Sequence, residues 1–421
     1  MIKIEKERID DKELTEALIK SLEGKNPKKV LLLPPDYTRL YSGAGHISAI
    51  YYGILTERGA EVDLMPALGT HVPMTKDECS KFFEGKIPFE KLIVHNWRTD
   101  VKKIGEVPAE FVSEVSDGLV TDKIDVEVNK RLVSGEYDLI ISIGQVVPHE
   151  VVGMANYSKN IFVGCGGASM INSSHMLGAF YGLERIMGKD FSPVRKVFDY
   201  AQEHFLSDVP LMYVLTVTSS EDEKTILHGL YIGESRKPFD AAVSESQKRN
   251  LIHLEKPLKK VIVYLDPTEF KSTWLGNKAV YRTRMAIADG GELIILAPGV
   301  DRFGEDEEND RLIRKYGYVG REKILELVKE NDDLKNNLSA AAHLIHGSSD
   351  GRFSITYCTR LLSKSEVEGA AFSYAPYDEA AKKYDPKVLK DGVNILSSGE
   401  EIFYISNPAL GLWECENRSA K

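Results

Sequence analysis

The 421-residue chain carries 54 Lys and Arg against 64 Asp and Glu, a net charge of −10, with 43% hydrophobic and 28% charged residues. That balance excludes a disordered chain and, lacking a basic excess, a general binder of nucleic acid or of an anionic membrane. Its four cysteines, Cys79, Cys165, Cys358 and Cys415, contain no CxxC pair, which excludes a disulfide scaffold and a zinc ribbon.

The opening MIKIEKERIDDKEL lacks the apolar core of a signal peptide. No apolar run reaches the roughly 18 residues of a membrane span, so a cytoplasmic protein is expected. In chain order, a helical period over 9–24 precedes apolar runs at 28–36, 60–69, 91–96 and 137–144. A second helical period covers 236–256, before further runs at 259–266, 291–299, 352–358 and 392–398. Each run is rich in Val, Ile and Leu and closed by Gly, Pro or Asp, the pattern of strands buried on both faces of a parallel sheet. The acidic GEDEENDRLIRKYG (304–317) reads as a solvated helix start. Strands alternating with helices predict an α/β fold with right-handed crossovers.

The polar, proline-bearing HLEKPLK (253–259) marks a boundary. Two α/β domains with mostly parallel sheets are expected: 1–255, catalytic and cofactor-binding, and 256–421, closing a cofactor and substrate cleft between them. The last residues of the second are free to pack back on the first.

Ligands of open α/β sheets sit beyond the carboxyl ends of the strands. Those ends carry Asp36, Thr38 and Arg39, then Thr70 and His71, then His95, Asn96 and Trp97, then His149. Each histidine has a competing reading as a hydrogen-bonded surface or supporting group. Residues 148–178 are the densest stretch, with His149, Lys159 ten residues on, and His175 sixteen after that. Between the last two lies VGCGGAS, whose Gly164, Gly166 and Gly167 form either a phosphate cradle or a tight turn. It is neither a Walker loop nor a dinucleotide fingerprint. Lys159 reads as a low-pKa nucleophile or attachment point, or as a solvated loop lysine. His175 offers an imidazole to a borderline metal with no HxH or HxxxH partner. Arg39 is a fork for carboxylate or phosphate, and Asp36 holds that arginine or a ribose hydroxyl, unless the two form a structural turn. Lys278, on a helix after a strand end, reads as facing the cleft.

As an ordered set these residues resemble the nickel-dependent lactate racemase family, from about residue 28 to about residue 300. The family's D-x-T-R stands as Asp36–Arg39, its G-T-H as Gly69–His71 and its P-H as Pro148–His149, with its lysine and metal histidine as Lys159 and His175. The resemblance implies an isomerase, a racemase or epimerase inverting C2 of a 2-hydroxy acid. It implies a nickel-pincer nucleotide (pyridinium-3-thioamide-5-thiocarboxylic acid mononucleotide) tethered through its thioamide to Lys159. Nickel is then held by two sulfurs and a ring carbon of the pincer, and by His175. Hydride passes reversibly between C2 and the pincer, His71 and His149 serve as acid/base groups, and Arg39 and Lys278 clamp the carboxylate. Asp36, Gly166 and Gly167 are expected to contact the cofactor. Proteins that make and insert the cofactor are implied partners; nucleic acid and membrane are not, and homo-oligomerisation stays open.

The chain departs from the family's pattern in three places. Ala155-Asn-Tyr-Ser-Lys159 stands where the family has S-G-G-R-K, and Trp274-Leu-Gly-Asn-Lys278 where it has Y-Q-x-x-K. NNLSAAAHLIHG (336–347), with His343 and His346, replaces a downstream tryptophan. Together with His95 and Trp97 as substrate-binding candidates, these changes point to an acid larger or more polar than lactate, such as a sugar acid. The competing functions are an NAD-type hydroxyacid dehydrogenase, whose glycine fingerprint is missing, and a non-catalytic anion or cofactor-binding protein, which has no use for two acid/base histidines.

Overall fold

Successive residues of a strand point to opposite faces, and in Lys29–Leu33 both faces are apolar. Leu31 and Leu33 enter one cluster with Ile140, Phe162 and Phe198, whereas Val30 and Leu32 enter another with Ile47, Leu64, Ile141 and Ile143. A strand buried on both sides needs helices on both sides, which makes the sheet the middle layer. The structure, a computed structural model, describes residues 1–221, 224–409 and 411–416.

The chain forms two compact units, Met1–Tyr181 with Arg185–Arg249, and Gly182–Glu184 with Asn250–Lys421. The division falls a little ahead of the 255/256 boundary read from the proline-bearing stretch. In the first unit six strands run in the order Ile2–Glu5, Lys224–Gly233, Leu211–Glu221, Leu139–Gln145, Lys29–Leu33, Glu61–Leu64. The last four of that order are mutually parallel, and the first two add an antiparallel edge. The second unit has its own six-stranded sheet, ordered Ser373–Pro376, Ser354–Thr359, Ile287–Ala297, Leu258–Tyr264, Glu401–Ile405, Gly392–Ile395. It is parallel except for the last pair. Both units are therefore α/β with parallel-rich sheets. Among the described residues no helix is long and apolar enough to cross a membrane.

Two local expectations change. The run 91–96 is not a strand: it makes a single bridge, Leu92 with Leu64, at the sheet edge, and Val94 is 52% exposed. An apolar run at an edge, with solvent on one side, has too little to bury to extend the ladder. Conversely, the antiparallel strands Leu211–Glu221 and Lys224–Gly233 lie outside the predicted set, because Thr, Ser and His interrupt their apolar residues. The acidic stretch does start a helix, Glu307–Tyr316, with Asp306 accepting from the Asn309 amide at 2.8 Å.

From Lys29–Leu33 the chain moves to the neighbour on one side, Glu61–Leu64, and later to the neighbour on the other, Leu139–Gln145. That reversal is the switch point where α/β sheets open a crevice. Asn160 closes it: its buried amide Nδ2 donates to Leu33 O at 3.2 Å and to Ser142 Oγ at 2.9 Å. Replacing Asn160 with Ala leaves both acceptors without this donor in a dry setting. The expected loss of stability is about 1–3 kcal/mol in urea unfolding; an unchanged midpoint would refute the anchor.

Candidate active site

Three segments meet beyond the strand ends of the first unit. After Lys29–Leu33 the chain turns into a short 3-10 helix, Tyr37–Ser42, capped by Asp36, whose Oδ1 accepts from Thr38 N at 3.0 Å and Thr38 Oγ1 at 2.5 Å. The other carboxylate oxygen, Oδ2, accepts from His71 Nδ1 at 2.6 Å. Burial by itself raises a carboxyl pKa, but the charge and hydrogen bond of His71, then Thr38 and Arg39, outweigh it and hold Asp36 at about 2. An ionised Asp36 places a proton on His71 Nδ1, so the neutral ring carries its lone pair on Nε2. The Asp36 oxygens thus cap the turn and orient His71.

The loop bearing His71 is docked on the turn that follows Lys159, through Gly69 N to Gly164 O at 2.8 Å. Lys159 opens a single turn of π-helix, Asn160–Gly164, an irregularity frequent at functional sites. The lysine is partly buried. Burial, then the nearby Arg39 charge, push its ammonium pKa down to about 8, against the opposing carboxylates of Glu150 and Asp36. Its partly buried setting beside Arg39 differs from that of a solvated loop lysine.

His175 lies on the helix Ala168–Tyr181 and donates from Nδ1 to Ile171 O at 2.7 Å. Burial pushes its pKa to about 4; the Ile171 hydrogen bond opposes the shift, and Lys159 and His71 reinforce it. The ring is neutral at pH 7 and Nε2 carries a lone pair, the form a metal requires. Arg39 completes the group: its Nη1 is buried and meets no hydrogen-bond partner among the described residues. His149 ends the Pro148–His149 strand, buried, with Nδ1 accepting from Val151 N at 3.2 Å, which leaves the ring proton on Nε2. Glu150 Oε2 stands 3.8 Å from that Nδ1.

The glycine loop is a tight turn. The amides of Cys165, Gly166 and Gly167 donate to Asn160 O (3.1 Å), Val163 O (3.3 Å) and Glu127 O (3.1 Å). Glu127 Oε2 also accepts from Ser169 N at 3.0 Å, at the start of the helix that carries His175. A phosphate cradle made of these amides is therefore corrected. Gly166 and Gly167 are needed for close packing, since a Cβ would lie 1.9 Å from Phe162 O and 2.4 Å from Glu127 Oε2 respectively. Cys165 in this turn is no nucleophile, because burial pushes its thiol up to about 12.

His95 is corrected as well. It is buried, Nε2 donates to Gly166 O at 3.0 Å and Nδ1 accepts from Asn129 Nδ2 at 2.9 Å, so neither nitrogen is left for a substrate. Trp97 packs on the apolar cluster, and the Arg98 guanidinium covers its ring at 3.8 Å. Lys278 belongs to the second unit, where it is buried, 4.0 Å from Glu269 Oε1 and over the Phe270 ring. His343, also there, stacks on Trp274 at 4.1 Å and bonds Tyr318 OH through Nε2 at 3.0 Å; His346 is buried.

The residues that sequence reasoning missed are Asn160, Glu150, Glu127 and Arg195. The first two adjoin Lys159 and His149 and had that signal; the others are distant in sequence and had none.

The first unit, with its parallel-rich sheet, thus brings a lysine of lowered pKa, a neutral imidazole and an Asp–His pair to its switch point. The family model of the lactate racemase N-terminal domain matches residues 6–185. The lactate racemase of Thermoanaerobacterium thermosaccharolyticum is 24% identical over 297 residues, 67% of this chain and 62% of that protein. The chain thus matches less than two thirds of that relative's length. In fold, a crystal structure of a Thermotoga maritima protein matches with a TM-score of 0.83 at 24% identity, covering 98% of this chain and 100% of that one. The lactate racemase apoprotein from T. thermosaccharolyticum matches with a TM-score of 0.65 at 19% identity, over 98% of this chain and 94% of that one. The first part of the chain is thus similar to the lactate racemase N-terminal domain, and the fold is similar to that of the lactate racemase apoprotein.

A lysine held at about 8 is reactive in the physiological range, since only the neutral amine attacks. Reductive methylation of Lys159 in the apoprotein, followed by peptide mass spectrometry, is expected to rise with a midpoint near pH 8. Because Glu150 opposes the shift, Glu150→Gln should move that midpoint lower. A wild-type midpoint in the ordinary lysine range would contradict the assigned surroundings.

Proposed function

We propose that this protein is a racemase or epimerase inverting C2 of a 2-hydroxy acid with a nickel-pincer nucleotide attached to Lys159. The observation that carries the reading is the convergence of three unlike groups in one unit. They are an amine held at about 8, an imidazole held neutral at about 4, and a buried guanidinium nitrogen without a partner among the described residues. Amine, imidazole and guanidinium match what a tethered, metal-bearing, anionic cofactor and a carboxylate substrate require. Among the described residues no three His, Cys, Asp or Glu side chains gather to hold a metal. We therefore assign His175 as one protein ligand, with the remaining ligands supplied by the organic group.

When bound, the nickel-bearing nucleotide supplies a reversible hydride acceptor for C2. The chain's own residues do the rest. Lys159 holds the group, and Arg39 orients the substrate carboxylate. His71 Nε2 takes the hydroxyl proton, while Asp36 keeps its Nδ1 protonated and stabilises the imidazolium that forms. Inversion needs a proton-exchanging group on the other side of C2, and we assign His149, which as an imidazolium would return a proton to the C2 oxygen; the proton gained by His71 and the one lost by His149 then exchange with solvent. We propose a substrate larger or more polar than lactate, because the chain departs from the family's pattern at Trp274-Leu-Gly-Asn-Lys278 and over 336–347. Four buried, unpaired thiols suit a reducing compartment, and we place the protein in the cytoplasm.

Expression alongside cofactor-making enzymes should yield a mass increment on the Lys159 peptide and stoichiometric nickel, with the nickel lost in His175→Ala. No increment under full cofactor supply would overturn the reading. Loaded protein is then tested on C2-epimeric acids from lactate to aldonates by chiral chromatography. Against the acid it turns over, His71→Ala and His149→Ala should each lose about 10²–10⁴-fold in kcat. Full turnover in either variant would remove that histidine from the mechanism.

A further inference from the structure

We propose that Arg195 is a positioning residue for Lys159, clamping a left-handed pair of residues just before it, an inference that rests on the reading of Lys159 as the attachment point. The pair is Asn156, with φ of 67°, and Tyr157, with φ of 56°. Left-handed backbone crowds Cβ against the following carbonyl; asparagine tolerates this and tyrosine does so rarely. Two such residues in succession persist only where their surroundings over-determine them.

Arg195 supplies most of that hold. It is fully buried on the helix Pro193–Phe205, and its guanidinium bridges the pair from one side to the other. Nη2 donates to Met154 O at 2.6 Å and to Asn156 O at 3.2 Å, and Nη1 donates to Ser158 Oγ at 2.7 Å. The guanidinium lies 4.4 Å over the Phe239 ring, which on its own account stacks on Tyr157 at 5.1 Å. Gln202 holds the Tyr157 hydroxyl at 2.6 Å, and Asp199 accepts from Ser158 Oγ at 3.0 Å. The helix start is docked on the same segment, through Ser192 Oγ to Val152 O at 2.9 Å. On the far side of Lys159, Asn160 is tied to the strand ends. The lysine thus stands between two fixed points, and Arg195 makes the first. A planar fork can serve three acceptors in this geometry; an ammonium at the same place serves fewer and reaches them differently.

Removing the arginine also removes a positive charge that itself lowers the Lys159 pKa. The decisive variant is therefore Arg195→Lys, which keeps the charge and loses the fork. In the apoprotein its midpoint for Lys159 methylation should rise by about one pH unit or more, as the amine leaves its buried setting beside Arg39. After co-expression with cofactor-making enzymes, the fraction of chains with a mass increment on Lys159 should fall about tenfold. Adding Asn156→Gly and Tyr157→Gly to Arg195→Lys should bring the midpoint back, because glycine adopts a positive φ without a clamp.

A folded Arg195→Lys chain with the wild-type midpoint and loading overturns the proposal. So does a shifted midpoint that the glycine pair leaves unmoved, since Arg195 then acts by another route. Should Arg195→Lys not fold, Ser158→Ala carries the test: it keeps the guanidinium and removes one acceptor, and an unshifted midpoint there overturns the proposal. If wild-type chains never gain the increment, the attachment reading fails on its own, while the apoprotein midpoints still decide the role of Arg195.

Discussion

One side-chain amide, shared between a backbone carbonyl and a buried serine, sets the place of the candidate site. Asn160 Nδ2 joins Leu33 O and Ser142 Oγ, groups on neighbouring parallel strands at the point where the chain reverses its direction of travel across the sheet. Lys159 precedes this residue, and the turn after it receives the His71 loop through Gly164 O and the buried His95 through Gly166 O. Displacing Asn160 would shift the lysine and the docking surface for two histidines together. The unusual features nearby, a π-turn and two left-handed residues, are tolerable because both ends of the segment are fixed.

The electrostatics of the site follow from burial against an acidic exterior. The whole chain carries a net charge of −10, yet the groups that face one another here include Arg39 and Lys159. Beyond about 8 Å at physiological salt, surface carboxylates are screened, and a partly buried crevice responds to its own lining. Desolvation then separates the titrations. Asp36 stays ionised because His71 answers it, His175 stays neutral, and Lys159 is brought toward neutrality. Each of those states is the one its proposed task needs.

Much of the site was legible in the sequence because parallel strands end abruptly and deliver their next residues to a common edge. Asp36, Arg39, His71 and His149 each follow such an end, and the spacing of His149, Lys159 and His175 was visible without coordinates. What was misread has a common cause. His95 also follows an apolar run, but both its nitrogens are turned inward to Gly166 and Asn129, and no local pattern distinguishes that from a ligand-facing histidine. The glycines of VGCGGAS carry the composition of a phosphate loop, yet their amides already have partners. Composition reports that a backbone is approachable; only the fold reports what approaches it.

The sequence by itself determined the α/β class and the two parallel-rich sheets, and it placed Asp36, Arg39, His71 and His149 after strand ends. Those are matters of local period, strand-end chemistry and spacing along the chain. The tertiary structure decided what each group is bonded to. Asp36 became the partner of His71, Glu127 closed the start of the helix that carries His175, and Arg195, thirty-six residues beyond Lys159, became a brace for the segment in front of it. Hydrogen-bond partnership between residues far apart in the chain depends on how the layers pack, and no short-range pattern encodes it.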